Sequence, residues 1–218
     1  VPDTHVEVKA KLTKISDWGA LGYCIGKQVQ NKIAYITGIK EASLDELKSF
    51  CASVVTFGSK PLFYIRGITL GSEKHQPPKE KIILEDRDIR EAYDSINDDV
   101  EDIDFVCIGC PHASIKEIAQ IADLLKDKTI SHNTEFWVAT SRSMKQLADD
   151  RGYTEVIERA GGKFACDTCM AVAPVKGRFR AIATTSAKGC YYSRHNNLLT
   201  KMGSLEECID AAVKGKWS

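Results

Sequence analysis

The stretch Phe105-Val106-Cys107-Ile108-Gly109-Cys110-Pro111-His112-Ala113-Ser114 decides how the chain is read. Phe105 to Gly109 is a short apolar run, the mark of a strand buried on both faces. Pro111 fixes φ, and Ser114-Ile115-Lys116-Glu117 is a capping box that opens a helix. Ile115, Ile118, Ala119, Ala122 and Leu125 then recur at helical spacing, opposite Lys116, Gln120, Asp123 and Lys126. A buried strand feeding an amphipathic helix is the unit from which parallel α/β sheets are built.

Working outward, the same alternation continues. Glu135 to Ser141 reads as a strand, about Arg142 to Ala160 as a helix with a break at Gly152, and Phe164 to Cys166 and Arg180 to Thr185 as strands. Ser204-Leu205-Glu206-Glu207 is a further capping box, opening a last helix through Val213. Upstream, Val6, Val8, Ala10 and Leu12 alternate with charged residues as in a strand with one wet face. Asp17 to Gln30 has helical character despite three glycines, Ile33 to Ile39 and Leu62 to Ile68 are apolar runs, and Ser43-Leu44-Asp45-Glu46 caps a helix through about Val55. Ile82 to Leu84 is a short strand and Asp88 to Asn97 a helix. The expected fold class is α/β, with strands and helices alternating around a largely parallel sheet. Gly71 to Lys81, polar and carrying Pro77-Pro78, is the expected lobe boundary, and Asp98 to Asp102 an expected solvated acidic loop. No internal repeat is evident beyond two Cys-x-x-Cys spacings.

The 218 residues suffice for a core without disulfide staples. A formal net charge of zero argues against a nucleic-acid binder. No apolar run reaches the ~18 residues of a membrane span, and the polar start Val1-Pro2-Asp3-Thr4-His5 is unlike a secretory signal. The eight cysteines, at 24, 51, 107, 110, 166, 169, 190 and 208, are therefore expected in a reduced cytoplasmic setting, as core residues, reactive thiols or metal ligands.

Two of them stand at strand ends, where sites form in open α/β sheets. Residues three apart in a strand face opposite ways, so Cys107 is expected in the core and Cys110 outside it. Cys110 and Ser114 sit beside the N–H groups that open the helix, which favour a thiolate or an anionic ligand. Cys169, past the strand end in Cys166-Asp167-Thr168-Cys169, is the second such thiol. Soft thiolates select zinc, copper(I) or iron–sulfur centres. A structural zinc on all four cysteines is a rival reading, although the pairs lie farther apart than in a zinc ribbon. A thioredoxin-like redox pair is another. His112 binds substrate, moves a proton or is structural. His5, His75 and His132 lie in polar segments, and His195 in a polar loop or substrate rim. In Thr184-Thr185-Ser186-Ala187-Lys188-Gly189-Cys190 a strand runs into a turn whose Ser186, Lys188 and N–H groups suit a phosphate or carboxylate.

These stretches, in this order, resemble the aconitase X family: Ile-Gly-Cys-Pro-His at 108–112, Asp-Thr-Cys at 167–169, Ser-x-Lys at 186–188, and the opening Asp17-Trp18-Gly19-Ala20-Leu21-Gly22 with Ile25-Gly26-Lys27. Cys190-Tyr191-Tyr192 departs from the family, which has a small residue and histidine before the tyrosine. The resemblance implies an aconitase-like fold, with the chain corresponding to the C-terminal half of a large catalytic subunit. It implies hydro-lyase chemistry at an iron–sulfur cluster ([4Fe-4S], with [2Fe-2S] or a single iron as alternatives). By the same carry-over, Cys110 and Cys169 are ligands, Cys107 and Cys166 are accessory, and a third cysteine lies outside this chain. His112 is then the catalytic candidate, and Ser114, Ser186 and Lys188 the substrate-binding candidates. The family divides by substrate into a mevalonate 5-phosphate branch, with a small swivelling-domain subunit as partner, and a 3-hydroxyproline branch. The Lys- and Glu-rich composition without a fused small domain favours the first.

Overall fold

The computed structural model describes residues 1–59 and 62–218, which form two compact units, Val1–Ser95 and Ile96–Ser218. In the first, strands β1 (Thr4–Val8), β2 (Ala34–Thr37), β3 (Phe63–Ile65) and β4 (Lys81–Leu84) make a parallel sheet in the order β3-β2-β1-β4. Helices α1 (Ile15–Val29), α2 (Leu44–Gly58) and α3 (Asp86–Ile96) connect and follow them. The glycines of α1 have a packing reason. A Cβ on Gly22 would lie 2.6 Å from the Ser53 Cβ and 2.7 Å from the Phe50 carbonyl oxygen. One on Gly26 would lie 2.9 Å from the Gly58 nitrogen, and Ser53 Oγ donates to the Gly19 carbonyl at 2.6 Å. The glycines lower helix propensity but let α1 and α2 touch backbone to backbone.

The expected boundary at Gly71 to Lys81 is corrected. That segment lies inside the first unit, between β3 and β4 of the same sheet, and the division falls after Ser95. Its polar composition hides an anchor. Buried Ser72 accepts from the Gly67 N–H at 3.1 Å, and its carbonyl accepts from the Tyr35 hydroxyl at 3.1 Å.

The second unit is a five-stranded parallel sheet, ordered β7-β6-β5-β8-β9. Its strands are β5 (Phe105–Ile108), β6 (Glu135–Thr140), β7 (Lys163–Cys166), β8 (Ala181–Thr184) and β9 (Leu199–Met202). Its helices are α4 (Ile115–Leu125), α5 (Arg142–Asp150), α6 (Tyr153–Arg159), α7 (Ala187–His195) and α8 (Leu205–Lys214). The expected break falls at Gly152, which has φ +74°. Val106 and Ile108 pack with Ile118, Ile121, Ile157 and Ile209 on one face of the sheet. On the other, Phe105 and Cys107 pack with Ile182, Met170 and Val175. Phe179 stacks on Phe105 at 4.3 Å, and the Arg178 guanidinium lies over Phe179 and Trp137. These contacts hold the irregular segment that follows β7 against the sheet.

Two elements depart from the sequence reading. Residues 187–195, expected as turn and loop, form α7, and β9 has no counterpart among the expected strands. Gly189 inside α7 and the lack of an apolar stripe conceal the helix. Ser186 is its N-cap, but no Glu or Gln follows three residues on to complete a capping box. The acidic run is likewise not simply solvated. Asp98 accepts from the Thr200 N–H at 2.7 Å and pairs with Arg194 at 2.9 Å, tying β9 and the end of α7 to the entry of the unit.

Burial alone would raise the Asp98 carboxyl, but the Thr200 and Arg194 hydrogen bonds outweigh it and hold the group below its ordinary value. A depressed folded value contributes stability that is present above the unfolded carboxylate pKa of about 3.9 and is lost as pH falls through the folded one. Asp98→Asn therefore flattens the acid limb of stability. Urea midpoints at pH 7 and pH 3 will differ less in the variant than in the parent, and equal differences would refute the assignment.

Candidate functional site

In the order β7-β6-β5-β8-β9 the chain winds outward from β5 through β6 to β7, then crosses back to β8. The carboxyl ends of β5 and β8 thus flank a topological switch point, the place where such sheets form crevices. Cys110 leaves β5 there, and Ser186 and Lys188 leave β8.

Gly109 makes the exit from β5. Its φ is +114°, and a Cβ would lie 2.0 Å from the Ala139 carbonyl oxygen. That oxygen accepts from the Ala113 N–H at 2.9 Å, and Thr140 Oγ1 donates to the Ala113 carbonyl at 2.7 Å, so the turn is pinned to β6. The Cys110–Pro111 peptide is cis. Ser114 then caps α4: its Oγ accepts from the Glu117 N–H at 3.2 Å, and its N–H donates to the Glu117 carboxylate at 2.8 Å.

This turn corrects the opposite-face argument. Cys107 is fully buried in β5 as expected, its thiol pushed up to about 12 by burial. Yet Cys107 and Cys110 belong to one apolar cluster, which Cys169 joins. The alternation of a strand holds only while φ stays extended, and the positive φ at Gly109 resets it. Cys166, the last residue of β7, is outside that cluster.

Cys110 is buried in this apolar cluster, and Cys169 packs against it. The neighbouring Cys169 thiol raises Cys110, and burial raises it further. Cys169 is lowered first by the neighbouring Cys110 and then, against burial, by the Ala171 N–H and the nearby Lys188 and His112. The two shifts run in opposite directions, so negative charge is favoured on Cys169 over Cys110. Ser186 lies near enough to Cys110 to offset part of that rise, and its Oγ accepts from the Gly189 N–H at 3.0 Å. His112 Nε2 donates to the Thr168 carbonyl at 3.1 Å, which joins the two strand-end loops. A carbonyl can only accept, so Nε2 carries the proton in this contact.

Cys110, Cys169, His112, Ser186 and Lys188 are thus brought together. The side-chain oxygens of Ser114 and Ser186 each serve as a helix cap. Beneath that cap the Thr184 hydroxyl is fully buried and has no hydrogen-bond partner among the described residues. His195 is not in a loop but ends α7, where Nδ1 donates to the Tyr191 carbonyl at 2.8 Å. Asp167, inconspicuous in the sequence, sits at φ +56° and binds Arg142. Its only signal there is that Asp tolerates the left-handed region after a strand. Among the described residues no group of three or more His, Cys, Asp or Glu is arranged to hold a metal. The donor set is a pair of soft thiols with a thiolate already favoured, which fits part of a thiolate-ligated iron or zinc centre and leaves the rest of its ligands to be supplied.

Fold and site define an α/β protein with a thiol pair at a sheet's switch point. The family follows from comparison with known proteins. Residues 2–94 match the family model of the aconitase X second domain, and residues 103–214 that of the third domain. The chain belongs to the aconitase X family. It is 38% identical over 208 residues to the phosphomevalonate dehydratase large subunit of Thermococcus kodakarensis, covering 95% of this chain and 54% of that protein. It is 31% identical to the cis-3-hydroxy-L-proline dehydratase of Hypocrea jecorina, covering 89% of this chain and 35% of that protein. The holo-form crystal structure of Thermococcus kodakaraensis aconitase X superposes with a TM-score of 0.90 at 37% identity, over 97% of this chain and 55% of that one. The chain spans about half the length of the relatives named phosphomevalonate dehydratase that it matches. No helix among the described residues is long and apolar enough to cross a membrane.

Proposed function

We propose that this chain is the thiol-bearing part of a hydro-lyase that dehydrates mevalonate 5-phosphate, working with a small subunit. The observation that carries the reading is that Cys110 and Cys169, thiols from separate strand ends, pack in one cluster, near Lys188 and His112. Cys110 and Cys169 would hold an iron–sulfur centre, with a third ligand from the part of the larger protein that this chain does not span. When bound, a centre with one iron left open supplies a Lewis acid for a departing hydroxyl. Lys188 binds the anionic end of the substrate, phosphate or carboxylate. His112, held by Thr168, is the group of this chain placed to hold or move a proton. Ser186, beside Cys110, would keep its sulfur oriented, as outer partners of ligands do.

Mevalonate 5-phosphate is preferred to 3-hydroxyproline because relatives named for the former are 35–40% identical in four cases, against 31% and 26% for the latter. The large subunit containing this chain, combined with its small subunit and reconstituted with iron and sulfide without oxygen, should dehydrate mevalonate 5-phosphate. Its kcat/KM for that substrate should exceed the value for cis-3-hydroxy-L-proline by at least ~10²-fold, the margin a site built around a charged group attains. Preference for the amino acid, or turnover in a metal-free preparation, would overturn the reading.

A further inference from the structure

The packing of Cys110 and Cys169 in one cluster needs the chain to leave β7 in one particular direction. The last pair in the parallel register of β6 and β7 is Thr140 with Cys166. Asp167 comes next and still donates its N–H to the Thr140 carbonyl at 2.8 Å, as a strand residue would. Its φ of +56° then turns the chain off the sheet, and two residues later Cys169 packs against the cluster that holds Cys110. The left-handed conformation is unfavourable for any residue with a Cβ and persists only where the surroundings hold it.

What holds it is the start of α5. Ser141 caps that helix by accepting from the Met144 N–H at 3.2 Å. The first N–H of the same turn, that of Arg142, donates to Asp167 Oδ1 at 3.2 Å, while Arg142 Nε reaches Oδ2 at 3.0 Å. One side chain therefore satisfies an orphan donor of a helix N-terminus and fixes the turn that aims a thiol. The Arg142 side chain is 84% exposed, so its ion pair contributes little, and the N–H bond is the part that matters. On the other side of the turn, Thr168 is gripped through its carbonyl by His112.

We propose that Asp167 is a positioning residue: by capping α5 from the neighbouring strand end it holds the left-handed turn that brings Cys169 to Cys110. The inference rests on the reading of these two thiols as ligands, but it concerns their geometry alone. It is tested on the reduced, metal-free chain with dibromobimane, a reagent that bridges two thiols only when they are close. The readout is the ratio of bridged to singly labelled Cys110 and Cys169, located by peptide mass spectrometry. In the parent the bridged product should dominate. Asp167→Ala should lower the ratio about tenfold, because alanine neither accepts from Arg142 nor favours positive φ. Asp167→Asn should restore it to within about threefold, since Asn keeps the acceptor and tolerates the left-handed region. Arg142→Ala, which keeps the backbone N–H, should also stay within about threefold. A parent-like ratio in Asp167→Ala, with unchanged far-ultraviolet dichroism, would overturn the positioning role and leave the thiol pair intact. No bridged product in the folded parent would overturn the paired-thiol reading itself, and this inference with it.

Discussion

Cys110→Ser and Cys169→Ser, each made in the complete enzyme with its small subunit, should lower dehydration of mevalonate 5-phosphate by more than ~10²-fold. They should also strip iron and labile sulfide from the purified protein. The size follows from where the two sulfurs sit. Substitutions among the partners that merely orient a ligand cost about 10–100-fold, and these residues are the proposed ligands themselves. A serine oxygen is harder and less acidic than a thiol, and the surroundings that stabilise charge on Cys169 are built for sulfur. The other two cysteines of the Cys-x-x-Cys spacings provide the contrast. Cys166→Ser, at the end of an edge strand and outside the apolar cluster, should leave metal content and rate within about twofold. Cys107→Ser puts a hydroxyl on a fully buried strand and should cost about 1–3 kcal/mol of stability, with cluster content per folded molecule retained. Iron and sulfide assays on the four variants decide the matter: full metal in Cys110→Ser or Cys169→Ser would remove the proposed ligands.

The split between these pairs is partly legible in the sequence. Cys110 stands out because a strand ends at Gly109 and a capped helix begins at Ser114, and the capping boxes at Ser43, Ser114 and Ser204 are all helix starts in the fold. Such signals are local, since a side chain two or three residues away completes them. The order β7-β6-β5-β8-β9 is not legible, because pairing between distant strands sets it. Nor is the meeting of Cys110 with Ser186, which depends on that order. The face of Cys107 relative to Cys110 is misread for a definite reason: the two-residue period ends wherever φ turns positive, and glycine announces that freedom without saying that it is used. Asp167 fails the other way. Asp tolerates a left-handed turn, but in Cys166-Asp167-Thr168-Cys169 no glycine or asparagine announces one.

The glycine at the head of the site is also where a single methyl group should do most harm. Gly109→Ala places a Cβ 2.0 Å from the Ala139 carbonyl oxygen, well inside contact distance. That oxygen cannot retreat, because it accepts from the Ala113 N–H, and Thr140 Oγ1 donates to the Ala113 carbonyl across the same turn. The φ of +114° adds about 1–3 kcal/mol of backbone strain for a residue with a Cβ. Together these predict a loss of more than ~4 kcal/mol, at the extreme of single substitutions. Position, not conformation alone, makes the difference. Gly152, with φ +74° and nothing within 4 Å of where a methyl group would sit, should cost only about 1–2 kcal/mol as alanine. The first unit supplies an independent control, because it uses the same device. Gly38 follows β2 with φ +97°, and its Cβ would lie 2.0 Å from the Val8 carbonyl oxygen. Five residues on, Ser43 opens a capping box with Glu46, just as Ser114 does with Glu117 after Gly109. The two copies share no fixed sequence period, which is why they do not read as a repeat. Gly38→Ala should therefore destabilise its unit as severely as Gly109→Ala does the second. Only Gly109→Ala should also reduce bridging of Cys110 to Cys169 in the molecules that remain folded, since it alone moves the turn from which Cys110 is presented. Urea unfolding of the three alanine variants, read beside the bridging ratio, tests both halves: a mild Gly109→Ala, or one that unfolds easily yet bridges normally, would show that the turn is not what sets the thiol in place.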